Sequence, residues 1–175
     1  GTKIPRMKSP QPLVYLDNAA TSFPKAPGVL EAVSLSLAEP FGNPGRGSHG
    51  GTLSADRLVH EARTAAAAFF GFTDSERPIF TPGTTASLNL ILRGLLRPGD
   101  SVLVSGMEHN AVMRPLRALE RNGLCRAFVF PCDPRGLPEL EAFRDMLRGA
   151  PRLLLFTAAS NVTGSLFPFR EMAVL

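Results

Sequence analysis

Short runs made mostly of apolar residues recur in the second half of the chain, at 79–81, 102–105, 127–130 and 153–157. Runs of this kind, lacking the in/out alternation of a half-buried strand, suit parallel strands covered on both faces. Helical spacing fills the gaps between them. Leu88, Ile91, Leu92, Leu95 and Leu96 share one helix face and give way to the turn Arg97-Pro98-Gly99-Asp100. Val112, Leu116 and Leu119 mark a second helix, stopped by Asn122-Gly123, and Leu140, Phe143, Met146 and Leu147 a third, stopped by Gly149-Ala150-Pro151. The resulting βαβαβαβ order predicts an α/β fold, a three-layer arrangement with a mostly parallel sheet flanked by helices.

The first half reads differently. A short extended run at 13–16 ends in Asp17-Asn18, and a helix is expected over 29–38. A long helix follows, whose apolar face is Leu58, Val59, Ala62, Ala65, Ala66, Phe69 and Phe70, closed by Gly71. Between these helices lies 41–51, with five glycines in 42–51. A flexible connector explains such a loop, but Arg46 and His49 inside it suggest contact with a ligand or partner. No repeat or low-complexity linker interrupts the chain, so 13–175 reads as one domain and 1–12 as a loose N-terminal arm. Residues 167–175 read as the start of another helix, so the chain looks cut.

Composition narrows the possibilities. Hydrophobic residues at 44% and charged residues at 19% are ordinary for a globular protein. The net charge of +4 comes from arginines scattered through helical stretches, without the stripe that nucleic-acid binding uses. No apolar stretch approaches the roughly 20 residues that span a bilayer, and 1–12 lacks the apolar core of a signal peptide. The cytoplasm is the expected compartment. Cys125 and Cys132, each beside a predicted strand, read as reduced thiols and not as metal ligands.

Chemistry concentrates where the runs end. Phe80-Thr81-Pro82-Gly83-Thr84-Thr85-Ala86 joins a strand to a helix, where open α/β folds bind anions. Gly83 permits a sharp turn, and the helix N–H groups with the Thr84 and Thr85 hydroxyls can seat a phosphate. The same Gly-Thr-Thr also serves as a plain helix cap, with Thr84 or Thr85 capping. No lysine follows it, so it is not a nucleotide P-loop. The next junction carries His109, either a ring able to lie over a planar ligand or a surface histidine near a helix start. The last carries Asn161, a hydrogen-bonding group or a turn asparagine. Three successive junctions with suitable polar residues favour one phosphorylated aromatic ligand.

These motifs, with Tyr15-Leu16-Asp17-Asn18-Ala19-Ala20-Thr21-Ser22-Phe23-Pro24-Lys25 and Asn43-Pro44-Gly45-Arg46, occur in an order and spacing that resembles the cysteine desulfurase branch of the class V aminotransferases. Met107-Glu108-His109-Asn110 and Ser160-Asn161-Val162-Thr163-Gly164 carry the resemblance furthest. It covers 13–175 and implies part of the large domain of a fold-type I pyridoxal-phosphate enzyme. By that resemblance Thr84 and Thr85 hold the phosphate of pyridoxal 5'-phosphate, His109 stacks on the ring and serves in catalysis, and Asn161 sits beside the ring. Asn18, Ala19 and Ala20 lie near the substrate, and Arg46 approaches the active site of a neighbouring subunit.

The resemblance further implies release of sulfur from L-cysteine to leave L-alanine and an enzyme persulfide, in a homodimer that passes sulfur to an acceptor protein. A selenocysteine lyase, another class V aminotransferase and a catalytically inactive truncated chain are the alternatives. Ala86-Ser87 stands where relatives often have an acidic residue, and Ala158 where many have histidine. The family's Schiff-base lysine falls beyond a point equivalent to Leu175, whereas the lysines here are Lys3, Lys8 and Lys25. The 175 residues alone are therefore expected to be inactive.

Overall fold

The computed structural model describes residues 14–39 and 41–175. The expected arm at 1–12, and Leu13 of the run at 13–16, lie outside the described residues. The chain divides into two compact units, one ending at Ile79 and the other running from Phe80 to Leu175.

In the first unit, residues 14–16 form no strand. Helix α1, Val29–Ala38, begins at Gly28, whose φ of 82° favours glycine. Helix α2 spans Gly50–Phe69. The glycine-rich loop folds back over the first turns of α2. The fully buried Thr52 hydroxyl lies 3.0 Å from Nε2 of His49, and the Gly45 N–H donates to Oδ1 of Asp56 at 2.7 Å. Arg63 donates to the Pro78 carbonyl at 2.9 Å, tying α2 to the segment after it. The expected apolar face is not the covered one. Leu58, Phe69 and Phe70 are exposed, and the buried residues are Thr52, Ala55 and Ala67. Small side chains let the loop and neighbouring backbone approach, so covering followed size and not hydrophobicity.

The second unit opens with α3, Thr84–Leu95, followed by β1, Asp100–Ser105, and α4, Asn110–Arg121. Then come β2, Cys125–Phe130, α5, Leu140–Leu147, β3, Leu153–Leu155, and a single turn, α6, Phe169–Met172. The three strands form one parallel sheet in the order β2-β1-β3. The expected strand at 79–81 is absent. Ile79 and Phe80 are 70% and 56% exposed, with no neighbouring strand among the described residues to accept their backbone groups. The last strand is shorter than the expected 153–157, because Phe156 and Thr157 leave the ladder.

Side-chain alternation gives this sheet two covered faces. Val102 and Val104 of β1 and Cys125 of β2 pack with Leu92 and Leu96 and with Val112, Leu116 and Leu119 of α4. Leu103 and Phe130 point the other way, against Phe143 of α5, Phe167 and Met172. Helices α3 and α4 therefore cover one face and α5 the other, as right-handed crossovers leading from β1 to β2 and then past β1 to β3 require. This is the expected three-layer α/β arrangement.

Glu120, near the end of α4, fastens that helix to β2. Its Oε1 accepts from the Ala127 N–H at 2.8 Å and its Oε2 pairs with Arg117 at 2.6 Å. The Ala127 hydrogen bond, then the one from Arg117, hold the carboxyl below its ordinary pKa. A depressed carboxylate contributes stability above its unfolded pKa and loses it as pH falls through the folded value. Glu120→Gln is expected to lower stability at pH 7 by about 1 kcal/mol. In urea titrations its deficit against the parent chain should shrink towards pH 3, and an equal deficit at both pH values would contradict the assignment.

Candidate functional site

Because the three strands are parallel, their following loops emerge at one edge, and Ser105 of β1 stands opposite Phe130 of β2. Three cross-links knit this edge. The Gly106 N–H donates to the Phe130 carbonyl at 3.0 Å. The Thr157 N–H, just past β3, donates to Oε1 of Glu108 at 2.7 Å. The Ser165 hydroxyl donates to the carbonyl of Arg135, in the turn after β2.

At α3, Gly83 is the N-cap residue, with a φ of 149° that only glycine adopts easily and no side chain to offer. Thr84 and Thr85 are thus the first two helical residues, which corrects the expectation that one of them caps the helix. The Thr81 and Ser87 hydroxyls lie 2.6 Å apart and Thr81 donates to the Gly83 carbonyl at 3.1 Å, bracing the turn from behind. A helix start without a side-chain cap presents N–H groups and the positive end of the helix dipole. An open cleft of ≈ 510 Å³, lined by Pro82, Gly83, Thr84, Thr85, Ala86 and Asn89, lies over it.

A second cleft, of ≈ 430 Å³, shares Thr85 and Asn89 with the first and adds Arg93, His109, Asn110, Ala111, Arg114 and Pro115. Helices α3 and α4 therefore bring Thr85 and His109 to one concavity. His109 is itself the N-cap of α4, and its Nδ1 accepts from the Ala111 N–H at 3.0 Å. That bond fixes the ring's orientation and engages Nδ1 as an acceptor, which leaves Nε2 to carry the ring proton. Both sequence readings of His109 thus meet in one residue, a helix-start histidine whose ring is held beside Thr85. Another cavity, of ≈ 500 Å³, involves Gly99, Ser101, Arg126 and Asp145 at the opposite, amino end of β1, remote from these groups.

Asn161 does not line either cleft. It is exposed at the tip of a turn after β3, built by the buried Ser160, whose hydroxyl accepts from the Val162 and Thr163 N–H groups at 3.2 Å. The remaining expected residues belong to the unit ending at Ile79. Asn18, Ala19 and Ala20 form an exposed turn, in which Oδ1 of Asn18 accepts from the Phe23 N–H at 3.0 Å. Arg46 is exposed in the glycine-rich loop. Among the described residues, no group of three or more His, Cys, Asp or Glu side chains could hold a metal ion. No described helix is long and apolar enough to cross a membrane.

Sequence reading assigned no role to Glu108. Its carboxylate accepts from the Ser105 hydroxyl as well as from Thr157. Burial pushes its pKa up, against the lowering effect of those two hydrogen bonds and of His109. The signals available were an acidic residue three positions beyond a buried strand and its place beside His109 in the Met107-Glu108-His109-Asn110 motif.

The Aminotransferase class-V family pattern matches residues 14–175. The chain belongs to the class V aminotransferase family. Within it, this chain is 36% identical over 167 residues to a probable cysteine desulfurase of Pseudomonas aeruginosa, covering 93% of this chain and 41% of that protein. A cysteine desulfurase of Serratia proteamaculans is 31% identical, over 93% of this chain and 41% of the relative. Among solved structures, the apo cysteine desulfurase of Thermococcus onnurineus NA1 superposes with a TM-score of 0.82 at 26% identity, over 92% of this chain and 40% of that one. A NifS-like protein superposes at 0.81, also at 26% identity, over 92% of this chain and 44% of its own. The chain thus spans about two-fifths of the length of these class V relatives, and its α/β architecture is that of their fold.

Proposed function

We propose that this chain supplies the phosphate seat and ring-facing side of a pyridoxal 5'-phosphate site, in a protein that removes sulfur from L-cysteine. The uncapped start of α3 beside His109, in adjoining clefts, is the observation that carries the reading. These residues fit the group. Thr84 and Thr85 with the α3 N–H groups would hold the phosphate, and the imidazole fixed by Ala111 would face the ring. Asn161 would approach from its own turn, and Asn18, Ala19, Ala20 and Arg46 would serve the substrate. The bound cofactor supplies an electron sink for bond breaking at the amino-acid α-carbon. What these residues contribute is anion binding, ring orientation and, at Nε2 of His109, a group able to carry a proton.

The names of the relatives favour desulfuration over selenocysteine lyase or other class V chemistry. The family match runs through both units, which supports reading 13–175 as parts of one large domain. Family resemblance supports a homodimer and a sulfur-acceptor partner, and the two free thiols, Cys125 and Cys132, fit a reducing cytoplasm. Lysine occurs only at 3, 8 and 25, all before α3, so the 175 residues alone are proposed to bind the cofactor without turning over cysteine.

The test is a titration of the chain with pyridoxal 5'-phosphate. Binding should be competed by inorganic phosphate and weakened about tenfold by Thr85→Val, the effect of losing one hydrogen bond to a charged group. Borohydride reduction should leave no specific label on Lys25. Failure of phosphate to compete would remove the seat, and stoichiometric labelling of Lys25 with sulfide released from cysteine would overturn the inactivity of these residues alone.

A further inference from the structure

Two of the three expected cofactor-facing groups at the sheet edge reach it from loops far apart in sequence. His109 follows β1, and Asn161 follows β3 about fifty residues later. Each loop has its own local support, His109 from the Ala111 N–H and the Asn161 turn from Ser160. Local support orients each group but does not set one against the other.

That relation is carried by Glu108. Its Oε1 accepts from Ser105, at the end of β1, and from the Thr157 N–H, at the exit of β3. The link to Thr157 crosses 49 residues, the longest-range side-chain hydrogen bond recorded among the described residues. Ser105 is 1% exposed, so without Glu108 its hydroxyl would still accept from the Met107 N–H but its own proton would stay buried with no acceptor. A half-buried carboxylate that tolerates desolvation in order to accept two converging donors is a costly arrangement for simple solubility. It is economical for fixing one loop against another.

We propose that Glu108 is a positioning residue whose Oε1 clamps the β1 and β3 exits together, setting His109 against the Asn161 turn. The proposal rests on the pyridoxal-phosphate reading for what the setting serves, whereas the clamp itself is a matter of the β1 and β3 exits.

Two conservative variants separate acceptor geometry from charge. Glu108→Gln removes the charge but keeps an oxygen at the Oε1 position. Glu108→Asp keeps the charge but withdraws the oxygen by one methylene. The readouts on the whole chain are hydrogen exchange at the Thr157 amide, the NMR signals of the His109 ring and the Asn161 backbone, and pyridoxal-phosphate affinity. In Glu108→Asp, Thr157 exchange should rise about tenfold, the His109 and Asn161 signals should move together, and the cofactor should bind about tenfold more weakly, each the equivalent of one charge-assisted hydrogen bond. Glu108→Gln, which keeps the acceptor but not the charge, should lose clearly less than Glu108→Asp in all three. A loss in Glu108→Gln as large as in Glu108→Asp, or no loss in Glu108→Asp, overturns the proposal. If the parent chain fails to bind pyridoxal phosphate, the cofactor reading falls, and exchange and NMR alone decide the clamp.

Discussion

Phe143→Ala is expected to destabilise the chain by about 3–5 kcal/mol, the usual cost of emptying a fully buried phenylalanine site. Phe143 is the only residue of α5 that is fully covered, and its ring meets that of Phe130 edge-on with centroids 5.0 Å apart. Phe130 ends β2 directly before the loop that Ser165 grips, so the cavity would open beneath the carboxyl edge of the sheet. Domains hold only about 5–15 kcal/mol in total, and the loss would therefore be visible as a large drop in the urea midpoint. Phe143→Leu, which refills most of the volume, should recover more than half of it. A small effect of the alanine variant would mean that α5 does not seal this face.

Gly42→Ala is expected to be the most damaging single-methyl addition in the glycine-rich loop. A Cβ at Gly42 would lie 2.5 Å from Oγ1 and 2.8 Å from the backbone N of Thr52, and 2.8 Å from Cε1 of His49. Flexible side chains could retreat, but the backbone of α2's first turn cannot without unwinding. Overpacking of this kind costs about 1–3 kcal/mol, and here it would also pull apart the buried Thr52–His49 hydrogen bond. Proteolysis should begin cutting within 41–49 in the variant while α4 and the sheet stay protected. Gly45→Ala meets no atom within 4 Å and is strained only by its φ of 74°, so it serves as the milder comparison. Equal sensitivity of the two variants would dismiss the packing argument.

Three of the four expected strands were legible because each has a neighbour in the sheet and packs against a helix on at least part of its length. The run Ile79-Phe80-Thr81 is equally β-prone, but a strand is a pairing, and three such residues say nothing about whether a partner stands beside them. The helices α3, α4 and α5 followed from periodicity, each containing most of its expected apolar positions and ending before its expected stop. Helix α2 was legible as a helix, yet its covered side was not, because the buried Thr52 and Ala55 were selected by their small size under a loop. At the site, Thr85 and His109 line one cleft, but only His109 is delivered there by a strand; Thr85 is brought beside it by the packing of α3 on α4. Glu108 stayed silent because its partner is 49 residues away, beyond any local pattern. The cap, expected at Thr84 or Thr85, fell on Gly83 for a different reason: that position takes a backbone angle that no threonine would adopt easily.

Helix α3 has no hydrogen-bonded strand leading into it, so its placement depends on its apolar side, where Leu92 and Leu96 sit in the cluster shared with α4 and the sheet. Mechanically it is a lever with its fulcrum at Leu92. At 1.5 Å per residue, the fulcrum lies about 12 Å from Thr84. A tilt of only about 5° there would swing the proposed phosphate seat by roughly 1 Å, a displacement that can cost an enzyme on the order of a hundredfold in rate. Repacking at Leu92 would then act on the start of α3 without touching it, and temperature or solvent changes that loosen the cluster would reach that end by the same arm.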